Sequence, residues 1–205
     1  MIAICDYDAG NIMSVQKACR YLGHEYVLTR DAAKILGADH VILPGVGSFG
    51  DAMNRLRSYG LEDVLREVKG KGTPLLGICL GLQLFFDESE ETPGAKGLGL
   101  LPGRIIRIPD QDGSLKIPHM GWNSLSYPNA GRLFSGIPEG TDVYFVHSYY
   151  LPVIEGNSAY RITASTEYGV PIGASVEQDN LFACQFHPEK SGRWGLKMLR
   201  NFCSL

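Results

Sequence analysis

The chain has 205 residues, 44% of them apolar and 20% charged, with a formal net charge of −3. That length suits one domain, residues 1–205, with a sizeable core, and the composition excludes a disordered chain and gives no sign of a polyanion-binding surface, so no nucleic-acid partner is implied. The cysteines Cys5, Cys19, Cys79, Cys184 and Cys203 are odd in number, widely spaced and without a Cys-x-x-Cys pair; no disulfide framework, metal site or cofactor is implied.

The start, Met1-Ile2-Ala3-Ile4-Cys5, has neither the basic opening nor the long apolar core of a signal peptide, and no apolar run reaches membrane-spanning length. A cytoplasmic location is expected. Ile2 to Cys5 reads as a buried strand entering the turn Asp6-Tyr7-Asp8-Ala9-Gly10-Asn11. Ile12, Val15, Ala18, Cys19 and Leu22 recur at helical spacing, with Gly23 as the stop. Tyr26 to Leu28 is a short strand, Ala32 to Leu36 a small helix, and His40 to Leu43 a third buried strand. It stops at Pro44-Gly45-Val46-Gly47-Ser48-Phe49-Gly50, whose glycines expose main-chain N–H groups. Helical sequence then runs to about Lys69, interrupted near Gly60.

Thr73 to Gln83 is the stretch around which the rest is organised. Leu75 to Ile78 lacks alternation, as a strand covered on both faces should, and Gly77-Ile78-Cys79-Leu80-Gly81 has the spacing of a nucleophile elbow opening an amphipathic helix. Cys79 then lies at the carboxyl end of a strand, the edge where open α/β sheets place ligands, and a helix start beside it favours thiolate. The fold expected is α/β, a doubly wound and mainly parallel sheet with an elbow.

Beyond the elbow a glycine-rich connection from Ser89 to Gly103 leads to a β-rich second half. Arg104 to Ile108 and Leu115 to Pro118 flank Asp112-Gly113 as a predicted hairpin. Thr141 to Leu151, Ala159 to Thr166, Ile172 to Glu177 and Leu181 to Gln185 are further predicted strands, and Gly192 to Phe202 a closing amphipathic helix.

A cysteine nucleophile needs a base, and the base an orienting group. His24 and His40 sit in structural contexts, and His119 and His147 at loop edges. His187 is the best candidate: Pro188 ends strand pairing after it, and Glu189 is close enough to accept its hydrogen bond. An unperturbed thiol with a pKa of about 8.5 is roughly 3% ionised at pH 7, so complete ionisation gains at most about thirtyfold, or ~2 kcal/mol. Two main-chain donors to a developing oxyanion contribute ~3 kcal/mol each, the larger lever. Leu80 N–H is the first donor expected, and the Gly45-Val46-Gly47 loop supplies the second, at Val46.

Gly77-Ile78-Cys79-Leu80-Gly81 with Phe186-His187-Pro188-Glu189 resembles the class I, triad-type glutamine amidotransferases. Within them, Pro44 to Gly47, Pro118 to Asn123, Tyr144 to Tyr149 and His187 to Ser191 look like the glutaminase subunits of imidazole glycerol phosphate synthases, nearly end to end. One departure is Asp8, where glycine is expected in many relatives. The resemblance implies that Cys79, His187 and Glu189 form a triad that hydrolyses glutamine, and that ammonia passes to a separate (β/α)8 cyclase in a heterodimer for histidine biosynthesis. It also implies glutamine contacts at Gly47, Gln83, Glu91, His147, Ser148 and Tyr149, and a partner interface at Trp122, Tyr144 and Lys190. Gln83 has helix packing as its competing role, and Glu91 that of a solvated acid. Negligible activity alone is expected, with the Pro44–Gly47 loop reorienting to complete the oxyanion hole. The rival readings are a glutaminase for another acceptor, such as that of pyridoxal phosphate synthesis, a DJ-1-type cysteine hydrolase or stress protein, and a catalytically dead binding subunit.

Overall fold

Short apolar runs separated by helical repeats build a sheet layered on both faces. The computed structural model describes residues 1–10, 12–110, 113–154 and 156–205. Its first half runs β1 (Ile2–Cys5), α1 (Ile12–Tyr21), β2 (Tyr26–Thr29), α2 (Ala32–Leu36), β3 (His40–Gly45), α3 (Phe49–Ser58), α4 (Leu61–Gly70), β4 (Leu75–Cys79) and α5 (Leu80–Leu84). The second half runs β5 (Glu88–Ser89), β6 (Arg104–Arg107), β7 (His119–Ser124), β8 (Asp142–His147), β9 (Tyr149–Pro152), β10 (Arg161–Glu167), β11 (Pro171–Gln178), β12 (Leu181–Cys184) and α6 (Gly192–Cys203).

The strands of the main sheet lie in the order β2-β1-β3-β4-β12-β11-β9-β6-β5, with β10 paired to β11. From β2 to β12 the pairing is parallel; β11, β9 and β6 then follow in antiparallel steps. Strand alternation sorts the two covered faces. Ala3, Cys5, Val41, Leu43 and Leu75 pack towards α2, α3 and α4, whereas Ile2, Ile4, Ile42, Leu76 and Ile78 pack towards α1 and α6. Each fully buried Leu, Ile or Phe in these layers stabilises the fold by roughly 1.5–3 kcal/mol relative to exposure. The four central parallel strands thus hold β4 rigidly, and its carboxyl end is where Cys79 sits.

Three expectations need correction, and one strand is added. The hairpin around Asp112-Gly113 does not form: β6 pairs with β9 and β5, and Leu115 to Pro118 is not a strand. Asp112 itself, like Asn11 of the first turn, lies outside the described residues. The predicted strand from Thr141 to Leu151 breaks at Ser148, so β8 pairs with β7 in a separate two-stranded sheet while β9 joins the main one. Residues His119 to Ser124, assigned to no strand above, form β7, with His119 at its loop edge as expected. Finally, α5 is not amphipathic but buried all round, and only five residues long, so the dipole behind Cys79 is that of little more than one turn.

Asp8 adopts the left-handed region, with φ 60°. An ion pair to Arg30 at 2.8 Å and a hydrogen bond from Tyr59 hold it there, which is how a residue other than glycine is accommodated in this turn.

Candidate active site

The elbow is built by close backbone approach. Cys79 has φ 55° and ψ −108°, a strained conformation for a non-glycine residue. A Cβ on Gly77 would lie 2.6 Å from the Gly81 carbonyl oxygen, and one on Gly81 would overlap the carbonyl oxygen of Leu43. Both glycines are therefore steric requirements, since they let β4, β3 and α5 come close enough to fix the sharp turn. The strain turns the cysteine out of the sheet into a cavity of about 320 Å³.

His187 reaches the same cavity from the end of β12. Its backbone is extended, with φ −102° and ψ 97°, as the following proline requires. The Nδ1 atom is 2.9 Å from Glu189 Oε1, and the two side chains are 2% and 1% exposed. Because the carboxylate only accepts, Nδ1 carries the proton, and Nε2 has no hydrogen-bond partner within the described residues. Burial pulls the imidazole pKa down, but the Cys79 sulfur and the Glu189 carboxylate outweigh it and push it up to about 9. The Ser191 hydroxyl donates to His187 O at 2.6 Å and accepts from Tyr144 N–H at 3.0 Å, and His187 N–H donates to Tyr144 O. These bonds clamp the His187 turn to β8.

Val46, Gly47, Leu80, Gln83, Glu91, His147, Ser148 and Tyr149 all line the cavity that holds Cys79 and His187. Gln83 Nε2 donates both hydrogens, to Tyr149 O and to Gln185 Oε1, each at 3.0 Å. Only Gln83 Oε1 is left for a ligand. Gln185 Nε2 in turn lies 3.7 Å from Cys79 Sγ. Glu91 is not a freely solvated acid: Oε2 accepts from Phe49 N–H at the start of α3 at 2.7 Å, and burial raises its pKa. Trp122, Tyr144 and Lys190 stand apart on the outside. There the Trp122 and Tyr144 rings meet edge to face at 6.2 Å, and the Lys190 ammonium is 5.8 Å from the Tyr144 ring centroid. Among the described residues no helix is long and apolar enough to cross a membrane.

Residues 3–204 match the family model described as glutamine amidotransferase class-I. The chain belongs to that family. It is 52% identical over 204 residues to imidazole glycerol phosphate synthase subunit HisH of Moorella thermoacetica, covering all of this chain and 94% of that protein. It is 49% identical over 208 residues to the HisH subunit of Geobacillus thermodenitrificans, covering 100% of this chain and 96% of that one. Two solved structures share the fold at 20% identity and cover 99% of this chain. One, a glutamine amidotransferase, has a TM-score of 0.76 and is covered to 97%; the other, a putative GMP synthase protein from Thermoplasma acidophilum, has a TM-score of 0.71 and is covered to 92%.

Two parts of this glutamine amidotransferase site were not singled out from the residues. Gln185 is completely buried beside the nucleophile; its signal is a polar side chain closing the apolar run Leu181 to Cys184. Ser191 acts through the backbone of His187, four residues away, a bond that has no signature in composition or periodicity.

Proposed function

We propose that this chain is the glutaminase subunit of an imidazole glycerol phosphate synthase, releasing ammonia from glutamine for a separate cyclase in histidine biosynthesis. The observation that carries the reaction is the single cavity in which the strained Cys79, the carboxylate-held His187 and the polar edge of β9 converge. The near-half identity to HisH subunits over the full chain supports the acceptor.

Cys79 gives its thiol proton to His187 Nε2 as Sγ attacks the side-chain carbonyl carbon of glutamine, and the carbonyl oxygen becomes an oxyanion received by Leu80 N–H and Val46 N–H. His187 gives its Nε2 proton to the amide nitrogen, the carbon–nitrogen bond breaks, and ammonia leaves a Cys79 thioester. His187 then takes a proton from water as the hydroxide adds; glutamate departs and the sulfur is restored. Glu189 fixes the tautomer throughout. Gln83 Oε1 and the Glu91 carboxylate accept from the substrate α-ammonium, and Gly47 with the main chain of His147, Ser148 and Tyr149 frames the rest of the amino acid. The two oxyanion donors supply ~3 kcal/mol each, so the orientation of the Pro44–Gly47 loop sets the rate.

The partner is a (β/α)8 cyclase, forming a heterodimer over Trp122, Tyr144 and Lys190 so that ammonia enters the partner before water protonates it. Five cysteines without a disulfide fit a reducing cytoplasm. The test is glutaminase activity of the chain alone, with the cyclase, and with the cyclase plus its ribonucleotide ligand. Negligible activity alone and strong stimulation in the last mixture are expected. High activity of the isolated chain overturns the gating, and stimulation only by a different synthase overturns the acceptor.

A further inference from the structure

Two buried imidazoles lie beside the triad and take no part in the chemistry above. His119 and His147 face each other across the β7–β8 pairing, with His119 Nδ1 3.1 Å from His147 Nε2. Their hydrogen bonds have one direction. Asn123 Nδ2 donates to the Glu167 carbonyl at 2.9 Å and to His119 Nε2 at 3.3 Å, so His119 carries its proton on Nδ1. That proton is given to His147 Nε2, which leaves His147 Nδ1 to donate to the Tyr149 carbonyl at 2.9 Å. The same carbonyl accepts from Gln83, whose amide holds Gln185 against Cys79.

We propose that His119 is a positioning residue for glutamine, passing through His147 the hydrogen bonds that hold the Tyr149 carbonyl and Gln83, and so tying β7 to the wall of the pocket. This rests on the glutaminase reading above.

His119 does not line the cavity. It is stacked between Phe145 at 4.7 Å and Tyr168 at 4.0 Å, both nearly parallel to it. An apolar ring would fill that slot without the cost of desolvating two ring nitrogens; what only the imidazole supplies is the donor to His147. Every polar atom along the chain is matched when both rings are neutral, and burial keeps them so, drawing His119 down to about 4 and His147 to about 3. The strand that anchors the chain is also exposed. His119 and Asn123 point inward from β7, while Met120 and Trp122 point out at 60% and 59% exposure. A shift of β7 therefore moves His119 relative to His147, and with it the carbonyl that Gln83 shares.

The test compares three variants with the wild type, each in complex with the cyclase and its ribonucleotide ligand. His119→Phe keeps the ring stack and removes the donor; His119→Asn keeps an N–H at the same distance from the backbone; Asn123→Ala frees the His119 tautomer from its outer end. Expected are a KM for glutamine about fivefold higher in His119→Phe, kcat within about twofold of wild type, recovery to within about twofold in His119→Asn, and a rise of two- to threefold in Asn123→Ala, in keeping with the loss of single hydrogen bonds. Turnover of the same complexes with ammonium salt in place of glutamine should be unchanged, which shows that folding and docking are intact. An unchanged KM in His119→Phe, or equal losses in His119→Phe and His119→Asn, overturns the assignment. Absence of glutamine turnover in the wild-type complex would count against the glutaminase reading instead. In that event the rate of Cys79 alkylation by iodoacetamide in the free chain decides the positioning role: it should change in His119→Phe and return in His119→Asn, and identical rates overturn it.

Discussion

Two histidines that line one cavity, His187 and His147, are held in different charge states. His187, bonded to a carboxylate and next to a thiol, is pushed up to about 9, whereas His147, bonded to a neutral imidazole and a carbonyl, is pulled down to about 3. Both are buried, so burial alone does not decide the outcome. The difference lies in the partners: the Cys79 sulfur and the Glu189 carboxylate together repay the desolvation of an imidazolium, and a neutral imidazole with a carbonyl dipole does not. A protonated His187 is the form that can hand a proton to departing ammonia, and a neutral His147 is the form that can pass a hydrogen bond on.

The contrast can be broken most completely at the sulfur. Cys79→Ala should reduce glutamine turnover by about 10⁵-fold or more while ammonium-driven synthesis by the complex persists; substantial glutamine turnover in that variant would remove Cys79 from the chemistry. Glu189→Gln is the next largest. With the carboxylate gone, only the Cys79 sulfur opposes burial at His187, its pKa falls from about 9, and kcat drops on the order of a thousandfold. An NMR titration of the His187 ring should show the shift, and a value still near 9 would mean that the sulfur alone sustains it.

Stability against pH sharpens the comparison from the other side. The folded pKa of His187 lies above its ordinary 6.5, so its contribution is complete below that value and is lost as pH rises through about 9. Denaturant midpoints of the wild type should therefore fall between pH 6.5 and 9 by more than those of His187→Gln; parallel curves would contradict the raised value. Ser191→Ala is the mildest. Losing the hydroxyl between His187 O and Tyr144 N–H should cost about 1 kcal/mol and lower kcat two- to fivefold, and stability loss without any change in kcat would make Ser191 purely architectural.

The parallel half of the fold was legible because its cues are local. β1, β3 and β4 are apolar runs covered on both faces, the glycines of the elbow are forced by contact, and His-Pro-Glu brings base and carboxylate together within two residues. The second half was harder for a physical reason. Strand β7 carries its polar residues, His119 and Asn123, inward and its large apolar ones, Met120 and Trp122, outward, so its hydropathy alternation is inverted and does not read as a half-buried strand. Ser148 interrupts what looks like one continuous apolar strand, yet that break sends β8 and β9 to different sheets and opens the edge that lines the pocket. The hairpin failed because β6 found a long-range partner in β9, which local turn residues cannot announce. Gln185 and the His119–His147 link depend on contacts between residues as much as 106 positions apart.

The outward indole of β7 has an optical consequence. The chain contains two tryptophans, of which Trp194 is half-buried on α6 beside Arg193, while Trp122 stands 59% exposed. Intrinsic emission from the free chain should therefore carry a red, water-relaxed component from Trp122, readily quenched by iodide. If the proposed partner seats on β7 it dries that ring, and association is then followed without a label as a blue shift with loss of quenching, a change that Trp122→Phe should remove.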